Sequence, residues 1–118
     1  MLIKIVDDDQ AFVKKIKDIV YDNFKDIFLD YSIDCITSNF EDRYFEKGDI
    51  FFLDIDLKEI NGINIGKKLL VSEANPIIIF VSSRDDLVFS SLSVRPFYFV
   101  RKSYLKQDLE EMFILLKT

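Results

Sequence analysis

The sequence contains no histidine and only one cysteine, Cys35, in 118 residues. Without histidine there is no Ser/His/Asp or Cys/His catalysis, and no zinc site built on imidazole. With one cysteine there is no internal disulfide, which fits a reducing compartment, so the chain is expected in the cytoplasm. Cys35 itself reads as a small buried apolar residue. Long apolar runs are missing too: the longest is five residues, as in Ile77 to Val81. No membrane-spanning helix and no membrane partner are therefore expected. The opening "MLIKIVDDD" reaches acids too soon for a signal peptide. Positive charge is not in excess. A formal net charge of −5 argues against direct binding of nucleic acid, whose phosphates need a basic surface. Repeats, linkers and low-complexity segments are absent as well. Any chemistry must come from carboxylates, hydroxyls and lysine.

What is present is a core. Hydrophobic residues make up 49% of the chain and twelve are Phe, enough for one folded domain and incompatible with disorder. Leu2 to Val6 reads as a first strand. Phe12, Ile16, Ile19, Val20 and Phe24 recur at helical spacing, predicting an amphipathic helix from residue 10 to about 27. Tyr31, Ile33 and Cys35 alternate with Asp30, Ser32 and Asp34, the pattern of an edge strand. Phe40 to Lys47 reads as a short helix closed by Gly48. Ile50 to Leu53 is the next strand, and Asn61-Gly62 supplies turn chemistry. A helix carrying Ile63, Leu69 and Leu70 ends before Asn75-Pro76, and Pro76 opens the strand "IIIFV". Asp85 to Ser93 reads as a weak helix and Phe97 to Val100 as a fifth strand. Ser103 is placed to cap a last helix with the stripe Leu105, Leu109, Met112, Phe113 and Leu116.

The order is β-α repeated five times. Strands 1, 3 and 4 read as apolar throughout, as strands covered on both faces must be. Right-handed crossovers then give an α/β fold: a doubly wound, five-stranded parallel sheet. Functional groups in such folds gather at the carboxyl ends of the strands. Strand 1 ends in Asp7, Asp8 and Asp9, and strand 3 in Asp54. Strand 4 ends in Ser82 and Ser83, and strand 5 in Arg101 and Lys102. Each residue alone has an ordinary explanation. An acid after a strand is usually a turn former or a helix cap, which is the reading for Asp9, and a lone Lys is usually a solvated charge. Their conjunction at four strand ends points to a site. Clustered carboxylates raise one another's pKa unless a cation joins them, and a hard divalent ion with oxygen ligands, Mg²⁺, is the natural partner. A metal, a hydroxyl and a lysine together suit a phosphoryl group. With no histidine to act as nucleophile, a carboxylate would accept that group as an acyl phosphate.

These residues resemble a response regulator receiver domain over essentially the whole chain, residues 1–118, with any output domain lying outside it. The resemblance implies the flavodoxin-like, CheY-like strand order 2-1-3-4-5. It implies that Asp54 is the phosphoacceptor and a Mg²⁺ ligand, with Asp8 a direct ligand, the main-chain carbonyl of Asp56 a third, and Asp7 acting through water. Ser82 and Lys102 would hold the phosphoryl oxygens, and Ser82 and Phe99 would form the switch. Asp56 and Arg84 would flank the phosphoryl group and modulate its lifetime. The implied partner is a sensor histidine kinase, and the implied output a change in the surface of strand 5 and the fourth and fifth helical segments, with self-association on phosphorylation. "FVSS" and "RPFYFVRKSYLKQDLEE" resemble the receivers of LytTR-class regulators, whose DNA contacts belong to a separate domain. The domain so implied is a phosphoacceptor that assists its own phosphorylation and dephosphorylation, not an enzyme acting on a separate substrate. Two positions depart from the family pattern. The lysine is followed by Ser103 rather than proline, so a trans Lys102–Ser103 bond is expected, and the aromatic switch position holds Phe99 rather than Tyr.

Three rival readings are weaker. "DIDL" resembles the D-x-D pair of haloacid-dehalogenase-type phosphatases, but there that pair follows the first strand, and this chain leaves no residues for a cap domain. A flavodoxin would have to seat FMN phosphate against "DDDQ", which would repel it. A pseudo-receiver that never takes phosphate would not need the intact set of five positions.

Overall fold

Ile50–Leu53 is buried at every position because it is the middle strand of a sheet covered on both faces. The computed structural model describes residues 1–25 and 30–118. Five parallel strands, β1 (Leu2–Val6), β2 (Ser32–Ile36), β3 (Ile50–Leu53), β4 (Ile77–Ser82) and β5 (Tyr98–Arg101), lie in the order β2-β1-β3-β4-β5, the expected fold class. The helices are α1 (Gln10–Phe24), α2 (Gly62–Leu70), α3 (Val88–Ser91) and α4 (Leu105–Lys117). Strand alternation divides the apolar residues between two cores. Ile50 and Phe52 join Ile3, Ile5 and Val100 beneath α1 and α4. Phe51 and Leu53 join Val6 and Phe80 beneath α2 and Val94. Phe113 of α4 packs edge-on against Phe24 of α1, ring centroids 5.1 Å apart, so the two helices share one aromatic contact.

Several local expectations change. The helix expected over Phe40 to Lys47 is a single 3₁₀ turn, Asp42–Phe45, with no buried residue. Asp85 to Ser93 is a 3₁₀ turn, the one-turn α3, and a second 3₁₀ turn, ending at Arg95 in the left-handed region (φ 57°) just before Pro96. In α1 the buried stripe is Val13, Ile16, Val20 and Phe24; Phe12 sits outside it. The expected end of that helix near Ile27 lies outside the described residues. β1 is not apolar throughout, because Lys4 is buried within it. Its ammonium donates to the Tyr44 carbonyl and lies 5.9 Å from the centre of the Phe51 ring. Burial lowers its pKa, against the opposing charges of Asp34 and Glu46. Cys35 is exposed, not buried, because β2 is an edge strand on which only Ile36 is fully covered.

Candidate functional site

The three acids after β1 have three different environments. Asp9 is the N-cap of α1, its Oδ1 accepting the N–H groups of Ala11 (3.0 Å) and Phe12 (3.4 Å), as its position in the sequence predicts. Asp8 is half-buried, and its Oδ2 accepts the N–H of Lys58 at 3.2 Å, tying the loop after β3 to the loop after β1. Asp7 is only 1% exposed. Its main-chain N–H donates to the Ile36 carbonyl (3.1 Å), which extends the β1–β2 ladder and turns its side chain into the site. There Oδ1 accepts the N–H of Asp9 at 2.9 Å.

Asp54 follows β3 in the same way. Its N–H donates to the Val6 carbonyl at 2.9 Å, and its carboxylate is 4% exposed. One carboxylate oxygen from each of Asp7, Asp8 and Asp54 falls within 4.8 Å of the other two. Lys102 reaches the two buried acids from the end of β5, its Nζ 2.8 Å from Asp7 Oδ2 and 3.4 Å from Asp54 Oδ2. The ammonium also lies 4.5 Å from the centre of the Phe12 ring, which shields it from water. Burial pushes the Asp54 carboxyl up to about 6, the neighbouring Asp7 charge adds to the rise, and Lys102 only partly counters it. Burial also works to lower the Lys102 ammonium, but its ion pairs with Asp7 and Asp54 outweigh it, so its pKa ends above the ordinary value.

The remaining predicted residues surround this core. Ser82 is fully buried at the end of β4, its Oγ accepting the N–H of Arg84 at 3.1 Å. Arg84 and Asp56 are brought together, Nη1 to Oδ2 at 3.5 Å, while the other side of the guanidinium holds Asp86 at 2.9 Å through both Nε and Nη2. Phe99 is half-buried, its ring centroid 6.5 Å from that of Phe80. Arg101 does not join the site: it points to Asp108 of α4, as strand alternation requires of the neighbour of Lys102. Ser103 does not cap α4. It lies inside a 3₁₀ turn, Lys102–Tyr104, and no side chain caps either that turn or the helix. Every peptide bond in the described structure is trans, including Lys102–Ser103 as expected.

Two contributors were not visible in the sequence as parts of the site. Gly62 read as a turn residue. In the structure a Cβ there would stand 1.9 Å from the Asp54 carbonyl oxygen, so the start of α2 closes onto the backbone of Asp54 only because this residue has no side chain. Phe12 read as helix core, and its helical spacing to Ile16 and Ile19 gave no sign of another role; only the structure places it one position before the buried stripe.

The donor set fits a hard divalent cation. Its side-chain donors are carboxylate oxygens, and Asp7 Oδ2 is fully buried yet accepts no aligned hydrogen bond, its near neighbour being the ammonium of Lys102. Beside the site, a cleft of about 400 Å³ opens between α1 and α4, with Phe12, Lys15, Lys102, Leu105 and Lys106 among its walls.

Comparison with known proteins agrees with this geometry. A family model described as response regulator receiver domain matches residues 3–114. The sensory transduction protein LytT of Bacillus subtilis (strain 168) is 28% identical over 76 residues, 64% of this chain and 32% of LytT. LytT of Bacillus anthracis is 26% identical over 104 residues, 88% of this chain and 42% of that protein. This chain thus spans less than half the length of these relatives. Among solved structures, the response regulatory domain of protein mrkE from Klebsiella pneumoniae superposes with a TM-score of 0.84 at 17% identity, covering 99% of this chain and 95% of that one. Neither a phosphatase nor a flavodoxin reading gains support from these matches.

Proposed function

This chain belongs to the response regulator receiver domain family, the phosphoacceptors of two-component signalling, and on that premise we propose that Asp54 is its phosphoacceptor. The observation that carries this reading is the pairing of two buried carboxylates, Asp54 and Asp7, bridged by one ammonium, that of Lys102. A fold without such a task would not keep two ionisable acids side by side out of water. The donor is a sensor histidine kinase, or a small acyl phosphate in its place. A carboxylate oxygen of Asp54 attacks phosphorus, the bond from phosphorus to the donor atom breaks, and its electron pair leaves with the donor. The product is an aspartyl phosphate. Lys102 exchanges its ion pair with Asp54 for one with the incoming phosphoryl oxygens, and Ser82 Oγ–H donates to another of them. Asp8 and Asp54, with the main-chain carbonyl of Asp56 and with Asp7 through water, would hold Mg²⁺. Bound there, the metal neutralises charge on the carboxylates and on the phosphoryl oxygens.

Arg84 and Asp56, already in contact, stand where water must approach the phosphoryl group, and they set its lifetime. Ser82 moving toward the phosphoryl group frees space into which Phe99 turns, changing the β5, α3 and α4 surface by a shift between two populated states. That surface displays Phe89 at 85% and Leu92 at 56% exposure, an apolar patch suited to self-association. The output, control of transcription, lies in a separate domain, as the length of the LytT relatives suggests, and the protein acts in the cytoplasm without contacting DNA through these residues. The test is incubation with Mg²⁺ and acetyl phosphate. The protein should gain one acid-labile, hydroxylamine-sensitive phosphoryl group and Asp54→Asn none. Stoichiometric labelling of Asp54→Asn overturns the assignment.

A further inference from the structure

Lys102 has to meet two carboxylates at once from a turn that lacks the usual proline and has no side-chain cap. What fixes that turn is Asp108, one turn into α4. Its Oδ2 accepts the main-chain N–H of Arg101 at 2.9 Å and Nε of the same residue at 2.8 Å, and its Oδ1 accepts Nη2 at 2.9 Å. Asp108 is 3% exposed, and the Tyr104 ring covers the guanidinium, its centroid 4.3 Å from Cζ. We infer that Asp108 and Arg101 are positioning residues for Lys102, a clamp that holds the end of β5 in the one place from which the lysine reaches both Asp7 and Asp54.

The geometry separates this role from that of an ordinary ion pair. Exposed pairs add little to stability and rarely bond main chain. Here a buried carboxylate spends one of its bonds on the N–H of the residue next to Lys102, and the planar fork of Arg101 fixes the direction of the other two. Asp108 is itself anchored, because the adjacent Leu109 and the nearby Met112 are fully buried against the sheet. The path from the core to the ammonium is therefore short and rigid, and a displacement of about an ångström at its end is enough to cost much of a catalytic rate.

The inference rests on the phosphoacceptor reading for its rate effect but not for its geometry, and two readouts keep them apart. In the first, the phosphorylation rate with acetyl phosphate at saturating Mg²⁺ should fall about tenfold or more in Asp108→Asn and less in Arg101→Lys, with Mg²⁺ affinity within about twofold of wild type, since no metal-holding residue has changed. Adding Asp108→Asn to Lys102→Ala should cost nothing further. In the second, the NOE between the Lys102 side chain and the Phe12 ring protons, which requires no phosphorylation, should be present in the wild type and lost in Asp108→Asn. An unchanged NOE in both clamp variants overturns the inference, as do a full rate in both or losses that multiply with Lys102→Ala. A wild-type protein that takes no label overturns the phosphoacceptor reading instead and leaves the NOE to decide the clamp.

Discussion

Asp54 and Asp108 are both buried carboxylates near the carboxyl ends of strands, 4% and 3% exposed, and both face a basic residue from the end of β5. Their protonation equilibria are pushed in opposite directions. Asp108 has the Arg101 fork and a main-chain N–H to itself, and the hydrogen bonds to Arg101 hold its carboxyl below the usual range. Asp54 shares a single ammonium with Asp7, and burial takes it to about 6. Similar exposure thus goes with opposite chemistry: at Asp54 the desolvation of burial is the largest cause and its shared ammonium does not offset it, whereas at Asp108 the hydrogen bonds from Arg101 outweigh a smaller burial effect. A satisfied carboxylate supports the fold. An undersupplied one is held in reserve, and its missing partners are those a cation and a phosphoryl group would bring.

The contrast can be broken from either side. The largest effect is expected at Gly62, where Ala must displace the Asp54 backbone from a distance of 1.9 Å. Chemical denaturation of Gly62→Ala should show a loss of about 3 kcal/mol or more, with impaired labelling of Asp54. Removing the satisfied acid comes next. Asp108→Ala strands the N–H of Arg101 and should cost about 2–3 kcal/mol, less than for a fully buried pair because Arg101 is 39% exposed. The pH dependences should also oppose each other. The folded pKa of Asp54 lies above its ordinary 3.8, so the folded state binds the extra proton and stability falls as pH rises from about 4 to about 6, by at most about 2–3 kcal/mol. The folded pKa of Asp108 lies below that range, so its contribution is present at neutral pH and lost on acidification through the lowered value. Difference curves of stability against pH for Asp54→Asn and Asp108→Asn should bend in opposite directions. Smaller still, Asp9→Ala removes the α1 cap and should cost about 1 kcal/mol, whereas Ser103→Ala, which removes no capping bond, should change stability by less than about 0.5 kcal/mol.

Much of this site could be read before the fold was known, because it sits where apolar runs stop. The end of a buried strand is marked by the first residue that cannot be buried cheaply, and Asp7, Asp54, Ser82 and Lys102 each stand at or just past such a boundary. Asp9 as a cap was legible from local rules. Ser103 was not, for the same rules place it correctly in sequence, but a 3₁₀ turn intervenes and a tertiary contact from Asp108 takes over the work of a cap. Asp108 was hidden because in a helical repeat it looks like any polar position beside an apolar stripe. Its burial depends on Arg101 lying opposite, which no periodicity reports. Lys4 was read as part of an apolar strand, and only the replacement of the second helix by a 3₁₀ turn shows how its ammonium reaches a main-chain carbonyl. Gly62 was legible as glycine but not as a neighbour of Asp54, a contact made across eight residues by the return of the chain.

The most direct test of the central claim, that Asp54 is kept ionisable at a cost to the fold, is the thermal stability of Asp54→Asn against wild type at neutral pH without divalent metal. The neutral amide relieves the repulsion with Asp7 and needs less water than a carboxylate. The variant should therefore melt higher, by an amount corresponding to about 1–2 kcal/mol, and Mg²⁺ should narrow the gap by stabilising the wild type alone. A variant that melts lower than wild type under those conditions would contradict the account, for it would mean that Asp54, like Asp108, is already satisfied by the residues around it.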